Sequence, residues 1–179
     1  MNPWPDLRPI LKRIDWAIVG GVATRAYMPE RMTKDLDIIV HQKDGETAIK
    51  QLEQAGYQLV SQLSIPRYSM LSPDGTELDV IFGNYPWLDE ALNHTPNDPA
   101  GYPIVKLPYL ILLKMEAQRA QDWADVSRML GWASDIDLDE VRAVVKRYMP
   151  QDSEDLESLI FIGKKEQEFP SSDETGKEN

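Results

Sequence analysis

Two acids, Asp35 and Asp37, have the spacing most suggestive of chemistry, in the segment TKDLDIIV at 33–40. Side chains alternate along a strand, so both carboxylates would point to one face while Leu36 and Ile38 point to the other. Two carboxylates this close repel each other, and a divalent cation removes that cost. Their oxygens suit Mg2+, which binds a few carboxylates together with water and substrate phosphates. By itself the pair also fits an ordinary structural role, in which Asp35 starts the strand and Asp37 is exposed to solvent at the edge of a sheet.

A third acid, Asp79, supports the metal site. It lies between Leu78 and Val80 in TELDVIF at 76–82, a strand otherwise suited to burial, where an unpaired carboxylate is expensive. A carboxylate reaching the same metal from a neighbouring strand would have a partner, and it could accept the proton of an attacking hydroxyl. The alternative is an outward position on an edge strand.

A glycine pair, Gly20-Gly21, follows the apolar run WAIV at 16–19. Glycines at the junction of a strand and a helix let backbone amides approach a phosphate closely, and the start of a helix favours negative charge. Alone, two such glycines simply make a turn. The combination with three acids is more specific than any of its parts.

The elements around these residues predict an α+β domain: a small mixed sheet flanked by helices, then a helical portion. Turn signals and apolar periodicity in the first part predict a short helix opened by Pro5-Asp6, strands at 16–19, 36–40, 67–72 and 76–82, and helices at 21–28 and 45–56. The second part predicts helices from 107 or 108 to about 119, from a cap at Asp122 to 132, at 138–148 and at 152–162. We therefore expect one domain over 1–163, with its sheet part at about 14–106 and its helical part at about 107–163, and a disordered acidic tail at 164–179.

Composition restricts the function classes. The 179 residues include no cysteine, which excludes disulfides, thiolate metal sites and thiol nucleophiles. The formal net charge of −11 disfavours, without ruling out, binding to nucleic acid by general electrostatic attraction. Apolar runs are too short to cross a bilayer, and the first residues lack the pattern of a secretory signal, so no membrane partner and a cytoplasmic location are expected.

Together, WAIVGGVATRAY, RMTKDLDIIV and LDVIF resemble the DNA polymerase beta nucleotidyltransferase superfamily. Among its members the chain looks most similar to the AbiEii/MenT-type nucleotidyltransferases, toxins of toxin-antitoxin systems, through the run of Gly-Gly, Arg, Thr and Asp-Leu-Asp. The helical portion of these toxins often contains a Lys followed by an Arg and by spaced Asp residues. The segment LLKMEAQRAQDWADVSRML has the same order, with Lys114, Arg119, Asp122 and Asp125. The resemblance covers about 14–131. The chain is shorter than typical AbiEii toxins and has Gly21 where many polymerase-like members have Ser.

The resemblance implies transfer of a nucleoside monophosphate (NMP) from a nucleoside triphosphate (NTP) to an acceptor hydroxyl. Asp35, Asp37 and Asp79 would hold two Mg2+ ions, and Asp79 would also activate the acceptor. The implied nucleotide contacts are Gly20, Gly21, Arg31, Thr33, Lys34, Lys114, Asp122 and Asp125. For Asp122 and Asp125, a helix cap and a favourable interaction with the helix dipole fit equally well.

The residues specify the metal and phosphate side of the reaction and leave several acceptors compatible. A tRNA end is implied by likeness to the toxins, which also implies an antitoxin partner. A cationic small molecule such as an aminoglycoside is implied by antibiotic nucleotidyltransferases of similar size and suits the acidic surface. A third reading is a catalytically silent nucleotide-binding module that keeps the fold.

Overall fold

The computed structural model describes residues 4–29, 32–62 and 67–168. The chain divides into two compact units, and the division falls between Leu110 and Ile111. The sequence predicts a change from sheet to helices near 106, close to this division. The expectation of a single domain stays a prediction.

The first unit is built on one five-stranded sheet in the order β1-β2-β5-β4-β3. Its strands are β1 (Trp16–Val19), β2 (Asp35–His41), β3 (Gln58–Gln62), β4 (Arg67–Leu71) and β5 (Glu77–Gly83). Strands β2 and β5 are parallel, and the other pairs are antiparallel. The predicted α+β class with a mixed sheet is therefore confirmed.

Burial explains why β2 and β5 form the centre of the sheet. Residues Leu36 to Val40 of β2 are all buried, and Leu78 and Val80 of β5 are fully buried. A strand covered on both faces is largely apolar, and here the apolar runs Ile38 to Val40 of β2 and Val80 to Phe82 of β5 follow directly after an acid. The helices of this unit are α1 (Gly20–Ala23), α2 (Gly45–Gln54) and α3 (Leu88–Asn93).

The hairpin between β4 and β5 is closed by the turn that Ser72-Pro73-Asp74-Gly75 predicts. The amide of Gly75 donates to the carbonyl of Ser72, and the amide of Thr76 donates to the Ser72 hydroxyl at 2.8 Å. Gly75 adopts a φ of +86°, which only glycine takes without strain. Because the turn fixes the register, Ser69 lies opposite Asp79.

The second unit is helical. Helix α4 (Leu107–Ala117) contains the division between the units, and it is followed by α5 (Ala120–Trp132), α6 (Asp135–Tyr148) and α7 (Ser153–Glu168). Helix α6 begins with a capping box between Ser134 and Asp137. Helices α5 and α7 approach at two glycines: a Cβ on Gly131 would lie 2.4 Å from the carbonyl oxygen of Gly163. The small residues allow the two backbones to touch.

Several element predictions need correction. Strand β3 and helix α3 were not predicted, and the helix predicted at 21–28 is the single turn α1 followed by a 3-10 turn at Thr24–Ala26. The short helix predicted after Pro5 is a set of turns. Asp122 does not cap α5, because that helix begins at Ala120 after the N-cap Arg119. Helix α7 continues to Glu168, so the predicted tail starts too early; 169–179 lie outside the described residues.

Within the ranges that the structure describes, no helix is both long enough and apolar enough to cross a membrane.

Candidate metal and nucleotide site

Three aspartates converge because β2 and β5 run parallel in a fixed register. Asp37 pairs with Asp79, and Asp35 lies two residues earlier on β2, opposite Glu77. Since alternate residues share a face, the three carboxylates emerge on the same side of the sheet. One oxygen from each of Asp35, Asp37 and Asp79 lies within 4.8 Å of the others. This is the arrangement that the sequence predicts for a metal centre.

Burial makes this cluster electrostatically demanding. Asp37 is 9% exposed and Asp79 is 8% exposed, whereas Asp35 is half-buried. Carboxylates removed from water repel one another more strongly than they would in solvent, so they require positive charge or hydrogen-bond donors. The donor set consists of hard oxygen ligands, which fit Mg2+ or another hard divalent cation and do not fit a thiophilic metal.

Two residues of β4 that the sequence motifs did not indicate supply such donors. The guanidinium of Arg67 donates from Nη2 to Oδ1 of Asp37 at 2.9 Å and from Nε to Oδ2 of Asp79 at 2.9 Å. Its Nη2 also forms a very short contact with Oδ2 of Asp79, and the hydroxyl of Ser69 donates to Oδ1 of Asp79. Arg67 therefore bridges two of the three acids. The signal was available in the sequence: counting back from the predicted turn places Ser69 opposite Asp79 and Arg67 on the same face.

Gly20 fits its position for two independent reasons. Its φ is +62°, and a Cβ built on it would lie 2.0 Å from Oδ2 of Asp37. The glycine backbone is therefore pressed against the acid cluster, where any side chain would displace Asp37. Gly21 is buried in α1, and its carbonyl accepts a hydrogen bond of 2.7 Å from the hydroxyl of Thr24. That bond secures the turn after β1.

The predicted residues just before β2 have different positions. Thr33 donates its hydroxyl to Oδ1 of Asp35 at 3.0 Å, so it orients that acid. Lys34 is exposed next to Asp35. Arg31 lies outside the described residues. Contact of Thr33 and Lys34 with a nucleotide stays a prediction.

The remaining predicted residues form a buried ion-pair network in the helical unit. Nζ of Lys114, on α4, donates to Oδ1 of Asp122 at 3.0 Å and to Oδ2 of Asp125 at 2.7 Å. Arg119 also donates to Asp122, and Gln121 donates to Asp125 at 3.0 Å. Lys114 is 5% exposed and the two acids are less exposed still. The structure thus brings the Lys, Arg and spaced Asp of the motif together, while their contact with a nucleotide stays a prediction.

Comparison with solved structures gives distant likenesses. The antibiotic-resistance factor ANT(2'')-Ia aligns over 88% of this chain and 85% of its own, with 15% identity and a TM-score of 0.45. The lincosamide antibiotic adenylyltransferase LnuA aligns over 74% of this chain and 86% of its own, with 14% identity and a TM-score of 0.41. The Cid1 poly(U) polymerase aligns over 69% of this chain and 35% of its own, with 15% identity and a TM-score of 0.35. No protein-family model and no curated protein sequence matches the chain. Likenesses of this size establish no function, which must rest on the geometry of the site.

Proposed function

We propose that this protein is a metal-dependent nucleotidyltransferase of the DNA polymerase beta superfamily. The supporting observation is the convergence of Asp35, Asp37 and Asp79 within 4.8 Å, beside a glycine that has no room for a side chain. A purely structural acid cluster would have little reason to combine buried like charges with an adjacent turn at Gly20-Gly21. A site that receives metal ions and a triphosphate requires both features.

Each residue has a role in the proposed reaction. The three aspartates would hold Mg2+, which supplies charge neutralisation of the phosphates when bound. The acceptor hydroxyl attacks the α-phosphorus of the NTP: a new O–P bond forms, the bond from the α-phosphorus to the bridging oxygen breaks, and pyrophosphate leaves. The hydroxyl proton passes to the carboxylate of Asp79. Backbone amides at Gly20 and Gly21 would bind the phosphates.

For the acceptor, the toxin-like motif and the charge favour different molecules. The run from Gly20 to Asp37, with Lys114, Asp122 and Asp125 later, supports a place among the AbiEii/MenT-type enzymes, whose tRNA acceptor and antitoxin partner we propose here as well. The net charge of −11 favours a cationic small molecule instead. Direct label transfer separates the two, because salt weakens RNA binding and also screens the attraction of a cationic acceptor to an acidic protein.

The decisive experiment measures pyrophosphate release and label transfer. The protein is incubated with Mg2+, each of the four labelled NTPs, and total tRNA, tobramycin or lincomycin. We expect transfer to one acceptor class, and its loss by at least about a hundredfold in Asp37→Asn and Asp79→Asn, because each removes a metal ligand. Asp15→Asn, an exposed acid just before β1, is the matched control and should retain activity.

Failure with every acceptor would indicate the silent nucleotide-binding module, provided that NTP binding itself persists. Loss of both transfer and NTP binding in a folded protein would refute the proposal altogether. Transfer that survives in Asp37→Asn would show that the reaction does not use the acid cluster.

A further inference from the structure

Arg67 and a divalent cation need the same oxygens. The guanidinium holds Oδ1 of Asp37 and Oδ2 of Asp79, while Ser69 holds Oδ1 of Asp79. Both carboxylate oxygens of Asp79 are therefore engaged by donors from β4. As long as these bonds persist, Asp79 presents a saturated carboxylate to a metal ion or to the proton of an acceptor.

Arg67 differs from its partners in exposure. Its side chain is 25% exposed, against 12% for Asp37 and 11% for Asp79. Since the guanidinium ends a long, more exposed side chain, it can leave the acids towards solvent without unpacking the core, whereas the aspartate side chains are short and more deeply buried. Arginine also binds phosphate well, because its planar fork matches two phosphate oxygens as it matches two carboxylate oxygens.

We propose that Arg67 is a positioning residue that couples metal binding to nucleotide binding. This inference rests on the proposed function. With Arg67 on the acids, metal ions alone bind weakly, since they must displace the guanidinium from Asp37 and Asp79. A triphosphate arriving with the metal gives the displaced guanidinium a new partner. Metal and nucleotide therefore bind cooperatively, and the site resists metal in the absence of substrate.

The coupling predicts opposite changes for the two ligands when Arg67 is removed. In Arg67→Gln, Mn2+ alone should bind at least about tenfold more tightly, because even one of the charge-assisted hydrogen bonds that the metal must otherwise displace corresponds to roughly that factor. A non-hydrolysable NTP should bind more weakly at saturating Mn2+. The factor by which each ligand raises the affinity of the protein for the other should fall towards one.

Calorimetric titration of the full chain with Mn2+, with the NTP analogue, and with each in the presence of the other gives all four affinities without any turnover. Lys43→Gln, which removes an exposed positive charge just after β2 in the same unit, controls for the general effect of charge. Arg67→Lys keeps the charge but loses the fork, and should give intermediate coupling. Circular dichroism establishes that each variant is folded. If Arg67→Gln is not folded, the Mn2+ and NTP-analogue affinities of Arg67→Lys are compared with those of wild type instead.

Three results would overturn the inference. Unchanged or weaker Mn2+ binding in Arg67→Gln would show that Arg67 only holds the acids in place. An equal increase of Mn2+ affinity in Lys43→Gln would show that the increase in Arg67→Gln comes only from the change of net charge. If wild type shows no Mn2+ affinity beyond that of Asp37→Asn, with or without NTP, the metal site itself is wrong and the proposed function fails with it. In the first two cases the proposed function stands.

Discussion

Replacing Gly20 with alanine tests the geometry of the site most directly. The added Cβ would lie 2.0 Å from Oδ2 of Asp37 and 2.7 Å from its Cγ, whereas ordinary contacts begin near 3.4 Å. The carboxylate must therefore retreat by more than about 1 Å, a misplacement that can reduce catalysis about a hundredfold. The φ of +62° adds about 1–2 kcal/mol of backbone strain for a residue with a side chain. Overpacking adds about 1–3 kcal/mol more.

Gly75→Ala provides the matched control, because Gly75 also has a positive φ, +86°, but a Cβ added to it would meet nothing within 4 Å. Urea unfolding of both variants measures the free energy of unfolding, and Mn2+ titration in the presence of the NTP analogue measures metal binding at the site. We expect Gly20→Ala to lose at least about 1 kcal/mol more than Gly75→Ala and to bind Mn2+ at least about tenfold more weakly. Equal losses of stability together with unchanged Mn2+ affinity would refute the close approach of Gly20 to Asp37.

Three further predictions concern other parts of the chain. Gly163→Ala should destabilise the helical unit by at least about 1–3 kcal/mol, since its Cβ would lie 2.0 Å from the carbonyl oxygen of Ser127; unchanged thermal unfolding would contradict the close α5–α7 contact. Burial raises the pKa of Tyr57 to about 12, so its contribution to stability is present below about pH 10 and is lost as pH rises through 12. The phenolate absorbance of wild type minus Tyr57→Phe should titrate near that value, and a midpoint near 10 would refute it. The hydrogen bond from Arg142 lowers the pKa of Glu157 below the value of about 4.5 that the carboxyl has in the unfolded chain. The pair therefore stabilises the fold above about pH 4.5, and this stabilisation is lost as pH falls through the lowered pKa. Arg142→Gln should flatten the acid side of the stability profile in urea unfolding, and an unchanged slope would argue against the pair.

The parts of the fold that sequence predicts well are those in which local pattern and burial agree. Strand β1 lies at the predicted residues, and the turn before β5 has the predicted chemistry. Strand β3 was missed because four of its five residues are exposed, including Leu59 and Val60, so it lacks the apolar alternation of a half-buried strand. Asp122 was predicted as a possible cap because Asp is common there, yet burial beside Lys114 determines its role instead.

The sequence predicts the acids of the candidate site because their spacing is local, whereas the position of their counter-charge depends on how the strands pair. Arg67 reaches Asp37 and Asp79 only through the pairing of β4 with β5 and of β5 with β2. Each pairing is a tertiary event, although the first follows from the turn. The local sequence pattern therefore predicts Asp35, Asp37 and Asp79. The register of the paired strands brings Arg67 and Ser69 to them.

The same strand order has a consequence for folding. Strands β4 and β5 are joined by a tight turn, so their pairing closes a short loop, whereas β2 meets β5 only across the intervening α2, β3 and β4. Short loops close at lower entropic cost. We therefore expect Asp79 to be paired with Arg67 and Ser69 in the hairpin before Asp37 arrives beside it. The arginine would then neutralise the repulsion between the two acids during assembly of the sheet.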